Sequence, residues 1–120
     1  MKTISYCGVN YRVFRIVPFG EPVDVFFRAL SYAHPGAHGS LAVEAMCIDE
    51  DGLVETWGSV TINLGCPLQD AERAFGDTNN SPWLLDLVRK EGLADVLPYE
   101  QHSGYWVYPL LRWHVERFKV

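Results

Sequence analysis

The sequence has no apolar run near the roughly 20 residues that a membrane-spanning helix needs, and no secretory signal at its start. We therefore expect a cytoplasmic protein with no membrane partner. It also lacks a basic stripe: 10 lysines and arginines stand against 15 aspartates and glutamates, and the net charge is −5. Because nucleic-acid backbones are bound by clustered positive charge, direct nucleic-acid binding is not expected.

Cysteine is scarce and its spacing fits no disulfide framework. The three cysteines, Cys7, Cys47 and Cys66, cannot all pair within one chain, and no two lie close enough in sequence for a zinc knuckle. We predict free thiols and no bound metal. Since 48% of the residues are hydrophobic, the chain can bury a core without such cross-links, and we expect residues 1–120 to form a single domain.

Most of the chain shows the enrichment or alternation of apolar residues that is typical of β-strands. Predicted strands cover residues 3–6, 11–17, 23–30, 41–48, 53–64 and 105–118, with a short helix as the alternative for 23–30. The clearest pair is the hairpin formed by 41–48 and 53–64. Its turn at residues 49–52 ends in Asp-Gly, which tolerates the positive φ that tight hairpin turns need. Pro109 predicts an edge strand or a bulge in the last strand.

One segment has the pattern of an amphipathic helix. Ser81 followed by Pro82 predicts its capped start, and Gly92 predicts its left-handed end. Residues 68–75 allow one or two further helical turns, and 93–104 are predicted to be a connection. The predicted fold class is α+β: a mainly antiparallel sheet of about five or six strands with one main helix, 81–92.

No group of residues has the spacing of a catalytic or metal centre. His34 and His38 lie in a segment rich in proline and glycine, which opposes the helix that would bring two imidazoles together. His102 and Ser103 have no identifiable third partner. We expect no catalytic residues, no cofactor and no metal site. The polar run from Asp77 to Ser81 is typical of side-chain-bonded turns and caps. The alternative function, a small ligand-binding domain or enzyme, would use this run and His102.

Two sets of side chains are candidates for contact with a protein partner, one acidic and one aromatic. They are Asp49, Glu50, Asp51 and Glu55 in the predicted hairpin, and Tyr105, Trp106 and Tyr108 near the end of the chain. Exposed carboxylates suit a basic surface, and tryptophan and tyrosine are frequent anchors of interfaces. The alternatives are that the acidic turn only maintains solubility and that the aromatic residues form a two-sided core.

An ordered series of short motifs runs through the second half of the sequence. It consists of TINL at 61–64, AF at 74–75, DTNN at 77–80, PW at 82–83, GLA at 92–94, SGY at 103–105 and YP at 108–109. Over residues 60–118 this series resembles a domain-of-unknown-function family of small proteins carried on plasmids, conjugative elements and prophages of gut bacteria. The resemblance implies no established catalytic residues.

The genetic setting of that family carries an expectation about function. Small acidic proteins on phages and other mobile elements are often inhibitors of host defence, including anti-CRISPR and anti-restriction proteins. The resemblance therefore implies a non-enzymatic inhibitor that acts in the host cytoplasm by stoichiometric protein binding. Its expected partner is a host nuclease or CRISPR–Cas effector protein, and its expected state is a monomer or small homo-oligomer.

Overall fold

A computed structural model describes residues 2–31, 41–64 and 72–120, and the strands in these segments pair antiparallel in three sheets. The elements are β1 Thr3–Tyr6, β2 Val9–Arg12, β3 Phe14–Ile16, β4 Val23–Ser31, β5 Leu41–Ile48, β6 Val54–Ser59, β7 Thr61–Ile62, β8 Arg73–Gly76, α1 Leu84–Glu91, β9 Ala94–Ser103, β10 Trp106–Trp113 and a 3₁₀ helix at Val115–Phe118. The small sheet pairs β1 with β2. The first large sheet has the order β3-β4-β5-β6, and the second large sheet has the order β7-β8-β10-β9.

The prediction of one sheet with five or six strands is wrong, because the described residues form ten strands in sheets of two, four and four. The predicted strand 11–17 is divided at Val13, so that β2 joins the small sheet and β3 the first large sheet. Two other segments are strands that the sequence did not indicate. Residues 73–75, for which one or two helical turns were predicted as part of 68–75, pair with β10, and most of the predicted connection 93–104 is β9.

The strand predicted over 53–64 passes from one large sheet to the other at Val60, which is fully buried. The Val60 N–H donates to the Val43 carbonyl of the first large sheet at 2.9 Å, and the Val60 carbonyl accepts from the Asp77 N–H at 2.8 Å. Side chains on either side reinforce the crossing: the Ser59 hydroxyl donates to the Thr61 carbonyl, and Thr61 Oγ1 accepts from the Val43 N–H. Residues 54–59 and 61–62 therefore belong to different sheets although they alternate as one strand.

The main core lies where the two large sheets, α1 and the 3₁₀ helix meet. Its fully buried side chains include Val25, Phe27, Val43, Val60, Leu84, Val88, Leu111, Trp113 and Phe118. Since neighbouring strand residues point to opposite faces, Phe26 lies in a second cluster with Tyr11 and Met46, beneath the small sheet. A third cluster, formed by Phe75, Tyr108 and Leu110, lies on the other face of the second large sheet.

The helix body and its end are as predicted, but its start is not. Leu84, Leu87 and Val88 form the buried side, and Gly92 ends α1 at φ 65°, with its N–H bonded to the Val88 carbonyl. The predicted Ser81 cap is wrong, because Trp83 occupies the N-cap position and its side chain makes no capping hydrogen bond. Ser81 is instead buried in the preceding turn, where its carbonyl accepts from the Leu84 N–H at 3.0 Å.

Pro109 marks a bulge, one of the two outcomes that its position predicts. Pro109 faces Glu100, whereas Leu111 faces Val96, so β9 carries extra residues at this point and Pro98 lies among them. The edge alternative is wrong for β10, which lies between β8 and β9. A proline has no N–H to donate to the ladder, and the irregular pairing accommodates both prolines.

Gly76 lies where β8 approaches β10 and α1 closely, so the packing here leaves little room for a side chain. A Cβ at this position would lie 2.9 Å from Leu111 Cδ1 and 3.2 Å from Leu84 Cδ2. We expect Gly76→Ala to lower the free energy of unfolding by about 1–3 kcal/mol, the usual range for overpacking a core. Urea unfolding followed by tryptophan fluorescence measures it.

The control for this test is the Leu84→Val variant, alone and combined with Gly76→Ala. The decreases in the free energy of unfolding of the two single variants should sum to more than the decrease in the double variant. The reason is that the shorter valine side chain makes room for the added methyl. Strictly additive losses would contradict the close approach of Gly76 to Leu84.

Candidate functional site

The acidic turn, residues 49–53, joins β5 to β6 as the Asp-Gly signal predicts. The Gly52 N–H donates to the Asp49 carbonyl at 3.1 Å, and the Asp49 N–H donates to the Leu53 carbonyl at 2.9 Å. Gly52 has φ 82°, a conformation that favours glycine. The candidate contact residues Asp49, Glu50 and Asp51 are all exposed here, and so is Glu55 on β6.

The three carboxylates of the acidic turn are not equivalent. Asp49 Oδ1 accepts the backbone N–H of Asp51 at 2.9 Å and that of Leu53 at 2.8 Å, so this side chain holds the turn in shape. Glu50 and Asp51 extend from a turn that Asp49 stabilises. In the described part of the chain, no ion pair includes the carboxylates of the acidic turn or that of Glu55.

An open cleft of about 790 Å³ separates the acidic turn from the β3–β4 turn. Asp24 lies in its wall and receives hydrogen bonds from Lys2 Nζ and, at 3.1 Å, from Arg15 Nε. The hydrogen bond from Lys2 is the main cause that lowers the pKa of Asp24 below its usual 3.8, and Arg15 adds to it, whereas partial burial acts in the opposite direction. Both cations of the cleft are thus bound to one carboxylate.

The aromatic candidates are divided between surface and core. Tyr105 is fully exposed at the β9–β10 turn, and Trp106 is 41% exposed with its Nε1–H donating to Thr78 Oγ1 at 3.0 Å. Tyr108 is buried against Phe75 in the third cluster. The aromatic turn, Tyr105 and Trp106, therefore remains available to a partner, while Tyr108 supports the sheet beneath it.

The polar run from Asp77 to Ser81 forms a turn through hydrogen bonds of its own. The buried Asp77 carboxylate accepts from the Asn80 N–H at 3.3 Å and from Asn80 Nδ2 at 2.9 Å. The Asp77 carbonyl also accepts the Ser81 N–H. This is the side-chain-bonded turn that the composition predicts. His102 lies exposed on β9, opposite Val107, and the pair His34 and His38 lies outside the described residues.

Cys7 and Cys47 are free thiols, whereas Cys66 lies outside the described residues. The Cys47 thiol donates to the Glu55 carbonyl at 3.5 Å. Within residues 2–31, 41–64 and 72–120, no three histidine, cysteine or acidic side chains are placed to hold a metal ion. The same segments contain no helix with the length and apolar character needed to cross a bilayer.

Sequence reasoning overlooked three apolar side chains that belong to turns or their flanks. Phe19 is 86% exposed, Leu53 is 62% exposed and Val17 is 58% exposed. A signal for Phe19 exists in the sequence, since it lies between Pro18 and Gly20, two residues that break strands. An aromatic side chain at the tip of such a turn has little sheet to pack against.

Comparison with known proteins identifies a family but no characterised relative. The model of the family described as Domain of unknown function (DUF4313) matches residues 29–120, which is most of the chain, so the protein belongs to this family. The match starts well before the series of motifs that begins at residue 61. No curated protein and no solved structure matches the chain.

The two hydrogen bonds to Asp49 predict a difference in stability within the acidic turn. We expect Asp49→Ala to lower the free energy of unfolding by about 1 kcal/mol, because two backbone donors lose a charged acceptor. Glu50→Ala, its neighbour and matched control, should change stability by less than about 0.5 kcal/mol. Chemical denaturation of both variants measures the difference, and equal effects would show that Asp49 does not hold the turn.

The lowered pKa of Asp24 predicts the pH dependence of its contribution to stability. A carboxylate with a depressed folded-state pKa stabilises the fold above its unfolded pKa, near 3.8, and this contribution is lost as the pH falls through the folded value. The stability advantage of the wild type over Asp24→Asn should therefore be constant near neutral pH and shrink below about pH 4.

The Lys2→Met variant tests the cause of that shift. Removing the main hydrogen bond should move the pKa of Asp24 upward, as measured by NMR titration of the carboxyl carbon. An unchanged pKa in Lys2→Met would contradict the assignment of Lys2 as the main cause.

Proposed function

We propose that this member of the DUF4313 family is a non-enzymatic inhibitor that binds a protein of a host defence system stoichiometrically. The observation that carries the proposal is the acidic turn. Its Glu50 and Asp51 side chains are exposed on a turn that Asp49 holds, and no cation of the described residues pairs with them. They are therefore available to a basic partner surface.

The distribution of ion pairs supports a local excess of negative charge. Arginines pair with carboxylates elsewhere: Arg12 with Glu91 at 3.6 Å, Arg28 with Glu44 at 3.8 Å and Arg112 with Asp95 at 3.6 Å. Lys2 and Arg15 share Asp24. Since the net charge is −5 and much of the positive charge is paired in this way, the unpaired carboxylates define where the negative potential concentrates.

Nucleic-acid-processing complexes offer the complementary surface, because they bind a polyanion with clustered lysine and arginine. An acidic turn that Asp49 holds by two hydrogen bonds and that occupies such a surface would associate quickly and with a marked dependence on salt. The aromatic turn supplies a second candidate contact, since Tyr105 and Trp106 are the type of residue that anchors protein interfaces. The resemblance to proteins of phages and other mobile elements favours a host nuclease or CRISPR–Cas effector as the partner.

An inhibition titration tests the proposal. Purified chain is added to reconstituted CRISPR–Cas effectors and restriction endonucleases of gut bacteria while DNA cleavage is measured. We expect cleavage by one of them to stop at a fixed molar ratio. The Glu50→Ser/Asp51→Ser variant, which keeps Asp49, should need about tenfold more protein at low salt and show a weaker salt dependence.

The matched control is Glu100→Ser/Glu116→Ser, which removes the same charge from exposed positions on other elements. It should inhibit nearly as well as the wild type. Inhibition at far less than one equivalent, or no inhibition of any complex tested, would contradict stoichiometric binding to a defence protein.

A further inference from the structure

We infer that one end of the first large sheet is a docking surface for a partner segment that is both basic and apolar. This surface, the turn end, consists of residues 17–24 and 47–53. The inference rests on the proposed function and deepens it, because it names the chemistry of the partner segment and adds apolar anchors to the acidic turn.

Sheet geometry brings the two turns of this surface together. In the order β3-β4-β5-β6, the β3–β4 turn and the acidic turn lie at the same end, because Asp24 at the start of β4 faces Ile48 at the end of β5. Two strand spacings separate the hairpins, roughly 10 Å. The cleft of about 790 Å³ between them is lined from one side by residues 22–24 and from the other by 47–51.

Exposed apolar side chains belong to both turns at this end of the sheet. Phe19 and Val17 belong to the β3–β4 turn, and Leu53 is the last residue of the acidic turn, with its N–H bonded to Asp49 Oδ1 at 2.8 Å. All three expose more than half of their surface to water. Isolated exposed apolar residues are ordinary, but several at one end of a sheet beside charged residues resemble the apolar centre and polar rim of an interface.

The charges of the cleft determine which kind of partner segment can bind there. Its lining contains Lys2 and Arg15, but both are hydrogen-bonded to Asp24. Glu50 and Asp51 of the same lining have no cation partner among the described residues. A lysine or arginine of a partner would form ion pairs with these carboxylates, and an apolar side chain beside it would cover Phe19 or Leu53. An acidic segment would be repelled, and a basic segment without apolar residues would leave the anchors uncovered.

An NMR titration of the isotope-labelled full chain tests the surface directly. The probe is a short synthetic peptide in which lysine alternates with leucine. Two matched peptides replace every lysine by glutamate or every leucine by serine. We expect saturable shift changes concentrated at residues 17–24 and 47–53 with the first peptide, and affinity at least about tenfold lower with the other two. Equal affinity of the serine peptide, or shift changes centred elsewhere, would overturn the inference.

Single substitutions locate the anchors. Phe19→Ser should weaken binding of the lysine–leucine peptide about tenfold, whereas Tyr99→Ser, which changes an exposed aromatic on β9 of the second large sheet, should leave it unchanged. Glu50→Lys should weaken binding as well, and Glu100→Lys should not. If Phe19→Ser fails to fold by circular dichroism, Leu53→Ser takes its place. Unchanged affinity in every folded variant of the turn end would overturn the docking surface.

The outcomes separate this inference from the proposed function. Peptide binding at the turn end without inhibition of any defence complex would support the docking surface and contradict the proposed target. Inhibition by the wild type that Phe19→Ser leaves unchanged would overturn the docking surface and leave the inhibitor proposal intact.

Discussion

The connection between the two large sheets depends on the backbone hydrogen bonds of one buried residue, Val60. Val60 donates its N–H to Val43 in the first large sheet and accepts from Asp77, which follows the last residue of β8 in the second. Both groups lie in a core where an unpaired amide would be costly, so the chain can cross here only if both partners are present. The crossing connects β6 to β7 and attaches the start of the Asp77–Ser81 turn to Val60.

Local patterning predicted the parts of the fold that are determined by neighbours in sequence. The hairpin of β5 and β6, the body of α1 and the bulge at Pro109 belong to this group. The crossing at Val60 does not. Val60, Ile62 and Leu64 alternate exactly as a continuous strand would, and periodicity contains no information about which sheet a strand joins.

Partners distant in sequence account for the other errors. The residues of β8 fit a helical pattern, yet they pair with β10, which begins 30 positions after β8 ends. The polar residues and Pro98 of β9 are typical of a loop. In the structure, β9 pairs with β10 on one side, and its other side is an edge of the second large sheet. An edge strand with a bulge tolerates the composition that a central strand excludes.

The same limit applies to the candidate site. The Asp-Gly signal located the acidic turn, whereas the different roles of Asp49 and Glu50 depend on where backbone N–H groups point, and the Lys2–Asp24 contact joins residues far apart in the chain.

The place of β10 in the second large sheet affects how the protein is made. This strand is the last of the sheet in sequence but lies between β8 and β9, and Phe118 after it packs on Phe27 and Trp113. During synthesis the first large sheet can form early, but the core on its inner face is incomplete until the ribosome has delivered residues 106–118, which supply Leu111, Trp113 and Phe118. A nascent chain of about 100 residues would therefore display an apolar surface, which makes it a natural client for chaperones that act at the ribosome.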